Sequence, residues 1–132
     1  MITYKKRRKY KYSLAEDYSH QTDVKVTKDA DLFLVKIDTT GFLQIKKGYA
    51  WDGPSGPTFD TKNFMSGSLV HDALYQLMRE GKIGRDQRLR ADEILREICI
   101  EDGMSKIRAW WAYVGVKWFG ASSAKPDLLN AP

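Results

Sequence analysis

His71 and Asp72 stand side by side in Leu69-Val70-His71-Asp72-Ala73-Leu74-Tyr75, the one His-Asp pair in the chain. Imidazole changes charge nearest neutral pH, and a neighbouring carboxylate can hold a cation or steer a proton. Asp92 is the third ionisable group that could join them. If it meets the ring of His71, a buried carboxylate fixes the tautomer and raises the basicity of the imidazole, which is the logic of a general base. No Cys or Ser is placed as an obvious nucleophile, so the chemistry these residues suit is attack by an activated water. Asp72 would hold a hard cation, with carbonyls of a glycine-rich loop completing the oxygen shell that Ca²⁺ prefers, and the outcome would be metal-assisted ester hydrolysis. The same His71, Asp72 and Asp92 would equally serve as a polar network joining that loop to the helices.

The elements that must position these groups follow from periodicity. Met65, Leu69, Leu74, Leu77 and Met78 recur at helical spacing, which predicts a helix from Phe64 to about Arg79, closed by Gly81 and Gly84. Within it Gly67 and Tyr75 lie one turn either side of His71, so the small residue leaves room beside the imidazole and the tyrosine packs below. Asp72 points about 100° away from His71, which lets adjacent residues do separate jobs. A second helix is expected over roughly 86–101, with Ala91, Leu95, Ile98 and Cys99 as its inner stripe and Asp92 on the same face. A third runs from about Ser105, a plausible N-cap, to Phe119, with Gly120 after its end. Its stripe of Ile107, Trp110, Trp111, Val114 and Trp118 reads first as core. The other reading is a surface for a partner or a membrane interface, where indole rings concentrate.

Upstream of the helices the pattern alternates. Val24 to Thr27, Leu32 to Ile37 and Phe42 to Lys46 read as strands of a small antiparallel meander over residues 23–51, with turns at 29–31 and 38–41 and Tyr49 to Trp51 finishing the last strand. Residues 52–63 form the Gly/Pro loop, whose glycines permit backbone groups to converge on an ion or an oxyanion, or simply make a tight corner. The tail 121–132 reads as loop.

Composition bounds the rest. At 132 residues, with 42% apolar and 12% aromatic content, the chain fits one globular domain. The lone Cys99 excludes an internal disulfide framework and a cysteine-based zinc site. No segment has the roughly 20 apolar residues of a spanning helix or the pattern of a signal peptide, so a reducing, intracellular location is expected. The net charge of +5 belongs to one arm: Lys5, Lys6, Arg7, Arg8, Lys9 and Lys11 supply six of the 22 basic residues, and the 16 left are met by 17 acidic ones. That arm, interleaved with Tyr4, Tyr10 and Tyr12, suits phosphates of nucleic acid or lipid headgroups, or an exposed edge strand or flexible tail. No motif for sequence-specific nucleic-acid binding accompanies it.

Two resemblances add to this. Gly48-Tyr49-x-x-Asp52-Gly53-x-Ser55-x-Pro57, Val70-His71-Asp72-x-Leu74-Tyr75, Arg90-Ala91-Asp92, Gly103-Met104 and a Trp-rich helix ending in Phe119-Gly120 occur in an order that resembles the phage and prophage family called domain of unknown function 1353. That resemblance implies a phage-encoded protein, in the virion or tail, without bringing an activity. From Tyr49 to about Cys99 the chain is also similar to phospholipase A2, particularly the cysteine-free form of parvovirus capsid proteins. This implies that His71 activates water, Asp92 orients it, Tyr75 orders the network, and Asp72 binds Ca²⁺ with loop carbonyls around Trp51, Gly53 and Gly56. The loop departs from the compact Tyr-x-Gly-x-Gly spacing and carries Asp52 and Pro54, and the strands before it have no place in a phospholipase core. An HD-type metal phosphohydrolase shares the His71-Asp72 pair but needs a second upstream histidine, and the other histidine, His20, lies in a polar stretch that reads as irregular.

The expected architecture is therefore α+β, a small N-terminal antiparallel sheet followed by three helices. The expected function is that of a phage-associated accessory or virion protein with a phospholipase-A2-like hydrolase site. The alternative is a non-catalytic assembly or adaptor protein. Phage structural proteins or a lipid surface are the expected partners.

Overall fold

The computed structural model describes residues 4–6, 12–51 and 62–123, and the side chains of 12–51 and 64–117. The protein is α+β: short antiparallel strands come first and three helices follow. Strands β1 (Tyr4–Lys6), β2 (Tyr12–Leu14) and β7 (Ala50–Trp51) form one sheet in the order β1-β2-β7. Strands β3 (Tyr18–Gln21), β4 (Ala30–Asp31), β5 (Val35–Ile37) and β6 (Phe42–Ile45) form the other, in the order β3-β6-β5-β4.

Alternation sets the face of the four-stranded sheet. Val35 and Ile37 pair with Ile45 and Leu43, and all four are buried, whereas Lys36 and Gln44 between them point the other way. The β5–β6 turn closes on Asp38, whose Oδ1 accepts from the backbone N–H of Thr40 at 2.8 Å and of Phe42 at 3.1 Å. Gly41 there has φ +87°, and a Cβ would meet Thr22 O at 2.5 Å, so both conformation and space demand glycine.

Several strand assignments change. Val24 to Thr27 belongs to neither sheet; Val24 is buried outside the ladders. The second partner of β6, beside β5, is β3, in the polar stretch around His20, where Tyr18 pairs with Ile45 and His20 with Leu43. Tyr18 and His20 are half-buried and Ser19 and Gln21 exposed, as befits an edge strand whose pairing comes from the backbone. Tyr49 to Trp51 does not extend the meander: β7 crosses to the first sheet and pairs with β2. The basic arm does contribute a strand, since β1 is an edge of that sheet.

The helices are α1 (Lys62–Arg79), α2 (Arg88–Glu101), entered through a 3-10 turn at Arg85–Gln87, and α3 (Lys106–Ser123). Gly120 does not end α3, which runs on to Ser123. Ser105 caps it, its Oγ accepting from Arg108 N at 3.2 Å. α1 is buried on nearly every side from Phe64 to Met78, the pattern of a helix enclosed by other elements. Leu69, Leu74 and Leu77 share a core with Val35, Leu43 and Ile45 of the sheet. Phe64, Leu95, Cys99, Met104, Ala109 and Ala112 make a second core among the three helices.

The third helix reverses the first reading for part of its aromatic stripe; Val114 is half-buried, and the side chain of Trp118 lies outside those described. Ile107, Trp110 and Trp111 are 75%, 44% and 62% exposed, while Ala109 and Ala112 are buried and Val116 packs beside them. At 100° per residue the two sets lie on opposite sides, and the small set permits the closer approach to α2.

Candidate active site

The short connection after Arg79 turns the chain back, so α2 runs antiparallel along α1. Contact pairs fix the register. A Cβ at Gly67 would lie 2.9 Å from Cys99 Sγ and 3.1 Å from Leu95 O. Gly67 therefore makes room for the second helix, not for the imidazole. One turn further along α1, His71 Nε2 meets Asp92 Oδ1 at 2.7 Å. After another turn the Tyr75 hydroxyl donates to the same oxygen, also at 2.7 Å. The close approach that glycine allows is what brings side chains of both helices within hydrogen-bond reach.

Asp92 has no solvent exposure, and His71 and Tyr75 are 7% and 3% exposed. An ionised carboxylate only accepts, so in the neutral ring the proton shared with Asp92 sits on Nε2 and Nδ1 carries the lone pair. Nδ1 faces Asp72, whose Oδ1 is 3.8 Å away and whose side chain is 38% exposed. The imidazole and phenol rings stack at 4.2 Å between centroids, tilted by 34°. The second oxygen of Asp92 has no hydrogen bond, and Arg88 NH1, one turn earlier on α2, lies 3.8 Å from it. That guanidinium also donates to the carbonyl of Lys117 on α3 at 3.2 Å. It offsets a buried negative charge that would otherwise be costly.

Opposing effects act on His71. Burial is the largest and pushes its pKa down, but the Asp72 carboxylate 3.8 Å from Nδ1 and then the hydrogen-bonded Asp92 outweigh it, and the pKa ends above the ordinary imidazole value. The Tyr75 phenol is driven far above its usual range, by burial first and then by Asp92. It stays a hydrogen-bond donor at any physiological pH. Burial also pushes the Cys99 thiol up to about 12, which leaves it a packing group and no nucleophile.

The structure thus gathers His71, Asp92 and Tyr75, with Asp72 beside the free ring nitrogen. Trp51, expected to offer a carbonyl, is buried at the end of β7, and its indole donates to Ser68 Oγ on α1 at 3.1 Å. Ser68 in turn donates to Met65 O at 2.9 Å. This pins the start of the Gly/Pro loop to the His71 helix. Asp52, Gly53, Ser55 and Gly56 lie outside the described residues, as do Arg7, Arg8, Lys9 and Lys11; Lys5 and Lys6 are on β1. His20 sits on β3 opposite Leu43. Sequence reasoning missed Arg88 and Ser68. The i,i+4 spacing of Arg88 and Asp92 on one helix was the available signal for the first; Ser68 had none.

Asp72 offers a cation the oxygen donor that Ca²⁺ takes. Among the described residues no three His, Cys, Asp or Glu side chains gather as a metal site, so a cation beside Asp72 would draw its other donors from backbone carbonyls. The two cavities described are elsewhere. The larger, about 410 Å³, opens on the four-stranded sheet between Asp31, Phe33, Lys36 and Lys46.

An α+β fold with a His-Asp pair on one helix and its acid on the next defines the class. The family model described as Protein of unknown function (DUF1353) matches residues 29–116, from just before β4 into α3, and the chain belongs to that family. The match contains His71, Asp72, Tyr75 and Asp92. No curated protein and no solved structure matches the chain.

Proposed function

We propose that this chain is a hydrolase that activates water on His71, with Asp92 and Tyr75 as the residues that orient it. One observation carries the reading: the buried Asp92 Oδ1 takes hydrogen bonds from both His71 Nε2 and the Tyr75 hydroxyl, each at 2.7 Å. This leaves Nδ1 as the basic nitrogen, on the side of the half-exposed Asp72. The resemblance to phospholipase A2 gives the same four residues the same division of labour. In the reaction, Nδ1 takes a proton from water as the water oxygen bonds to an ester carbonyl carbon. The tetrahedral adduct expels the alcohol oxygen, and Nδ1–H returns the proton to it, leaving a carboxylic acid and an alcohol. Asp72, with carbonyls of the loop at Trp51, Gly53 and Gly56, would hold Ca²⁺, which supplies polarisation of the ester carbonyl.

The resemblance to phage and prophage proteins gives this activity a setting, as an accessory of the virion or tail, made in the host cytoplasm. Stoichiometric presence in purified phage particles supports that setting, and absence from them removes it.

A second reading is favoured by enclosure. With Asp92 unexposed and His71 nearly so, the network also suits a non-catalytic assembly protein in which it ties α1 to α2. Fatty-acid release from phospholipid vesicles in Ca²⁺ separates the two. The hydrolase reading expects release by the wild type and a loss of about a hundredfold or more in His71→Gln, with thermal stability nearly kept. A wild type that releases nothing contradicts it for this substrate.

A further inference from the structure

The outer face of α3 is where exposed apolar surface concentrates. Of the five large hydrophobics that stand in solvent among the described residues, Ile107, Trp110 and Trp111 are on this one face, and the two indoles meet edge to face at 5.0 Å. Helical spacing places basic residues on both of its flanks: Arg108 on one, Lys106 and Lys117 on the other. On the Lys117 flank, the ring of Tyr113 has Lys117 Nζ at 5.8 Å and the Arg96 guanidinium of α2 at 5.9 Å. From Gly103 to Lys117 the chain has no acidic residue. The acids that precede it, Glu101 and Asp102, lie before the helix begins.

We infer that α3 lies on an anionic lipid surface, with Ile107, Trp110 and Trp111 entering the headgroup boundary and Lys106 and Lys117 meeting the phosphates. Indoles favour that boundary because one part of the ring system is apolar and the N–H stays wet. Cations flanking an apolar stripe, with no acids among them, complement negatively charged lipid. A second copy docking by two-fold contact would set these cations against their own images. The opposite face of the helix is already occupied, since Ala109 and Ala112 are buried on α2, so α3 rests on the surface without crossing it. No helix among the described residues is long and apolar enough to cross a membrane. The inference stands apart from the chemistry of His71.

The test is sedimentation of the full chain with vesicles of phosphatidylglycerol mixed into phosphatidylcholine, in EDTA so that hydrolysis plays no part. Tryptophan emission is followed in parallel. Binding with a blue shift, weaker on pure phosphatidylcholine and weakened by salt, is expected. The triple variant Ile107→Ser, Trp110→Ser, Trp111→Ser should lose more than about tenfold in affinity. Lys106→Gln and Lys117→Gln, which remove no apolar surface, should each lose about fivefold at low salt. Absence of binding at low salt overturns the inference and gives the face to a protein partner. Binding unchanged in all these variants also overturns it. So does a concentration-dependent dimer of the wild type that the triple variant abolishes.

Discussion

Between α1 and α2, a carboxylate with no exposure, an imidazole and a phenol are sealed under the backbones of two closely packed helices. On the far side of α3, two indoles and an isoleucine stand in solvent. Each region places its side chains against the ordinary sorting of polar outward and apolar inward. The first keeps its charge because Asp92 Oδ1 takes two hydrogen bonds and the Arg88 guanidinium lies 3.8 Å from Oδ2, which has no hydrogen bond of its own. The second keeps its exposed surface because another, smaller-residue face of the same helix does the packing. One departure is buried and tied into the packing of two helices, and the other is exposed and free of it.

Substitutions in the two regions should therefore differ sharply in cost. Asp92→Ala leaves the His71 and Tyr75 donors buried without an acceptor and Arg88 without its counter-charge. Urea unfolding should report a loss of about 3–5 kcal/mol. A loss below about 1 kcal/mol would mean that water reaches the network. Gly67→Val comes next, because its Cβ alone meets Cys99 and the Leu95 carbonyl. It should cost about 1–3 kcal/mol in the same assay, with the His71–Asp92 contact lengthened in a crystal structure.

Tyr75→Phe removes one of two hydrogen bonds to Asp92 Oδ1 and should cost about 1 kcal/mol. The pH dependence of stability carries a smaller signal with a definite sign. The pKa of His71 is raised by folding, so its contribution is fully present below the ordinary imidazole value of 6.5 and is lost as pH climbs through the folded value. The difference in melting temperature between the wild type and His71→Gln should thus shrink from mildly acidic to alkaline pH. A difference that widens instead would contradict the charge balance around the ring. At the other extreme, Trp111→Ser should change stability by less than about 0.5 kcal/mol in calorimetry, since the ring is 62% exposed.

Much of this contrast was legible in the residue pattern. The three helices, the inward face of Asp92 and the Ser105 cap follow from spacing, because helical periodicity is a local property. The orientation of α3 was not legible, because both of its faces are apolar. Size suggested that the tryptophans pack inside, and the alanines do so because they let two helix backbones come close. Strand β3 was hidden for a related reason: Tyr18-Ser19-His20-Gln21 pairs through its backbone at a sheet edge and needs no apolar alternation. Val24 to Thr27 has that alternation and lies outside both sheets. The smallness of Gly67 is visible in the residue pattern, but which neighbour uses the space depends on how two helices pack, and that is tertiary information.

The central claim is that Asp92 holds His71 as the Nε2–H tautomer with Nδ1 free to accept a proton. Nitrogen-15 NMR of the labelled imidazole reads this directly. The wild type should show a protonated Nε2 and an unprotonated Nδ1 at alkaline pH, with Nδ1 titrating above 6.5, and Asp92→Asn should lose both the tautomer preference and the upward shift. A proton found on Nδ1 at alkaline pH, or a ring that titrates alike in both proteins, would contradict the account.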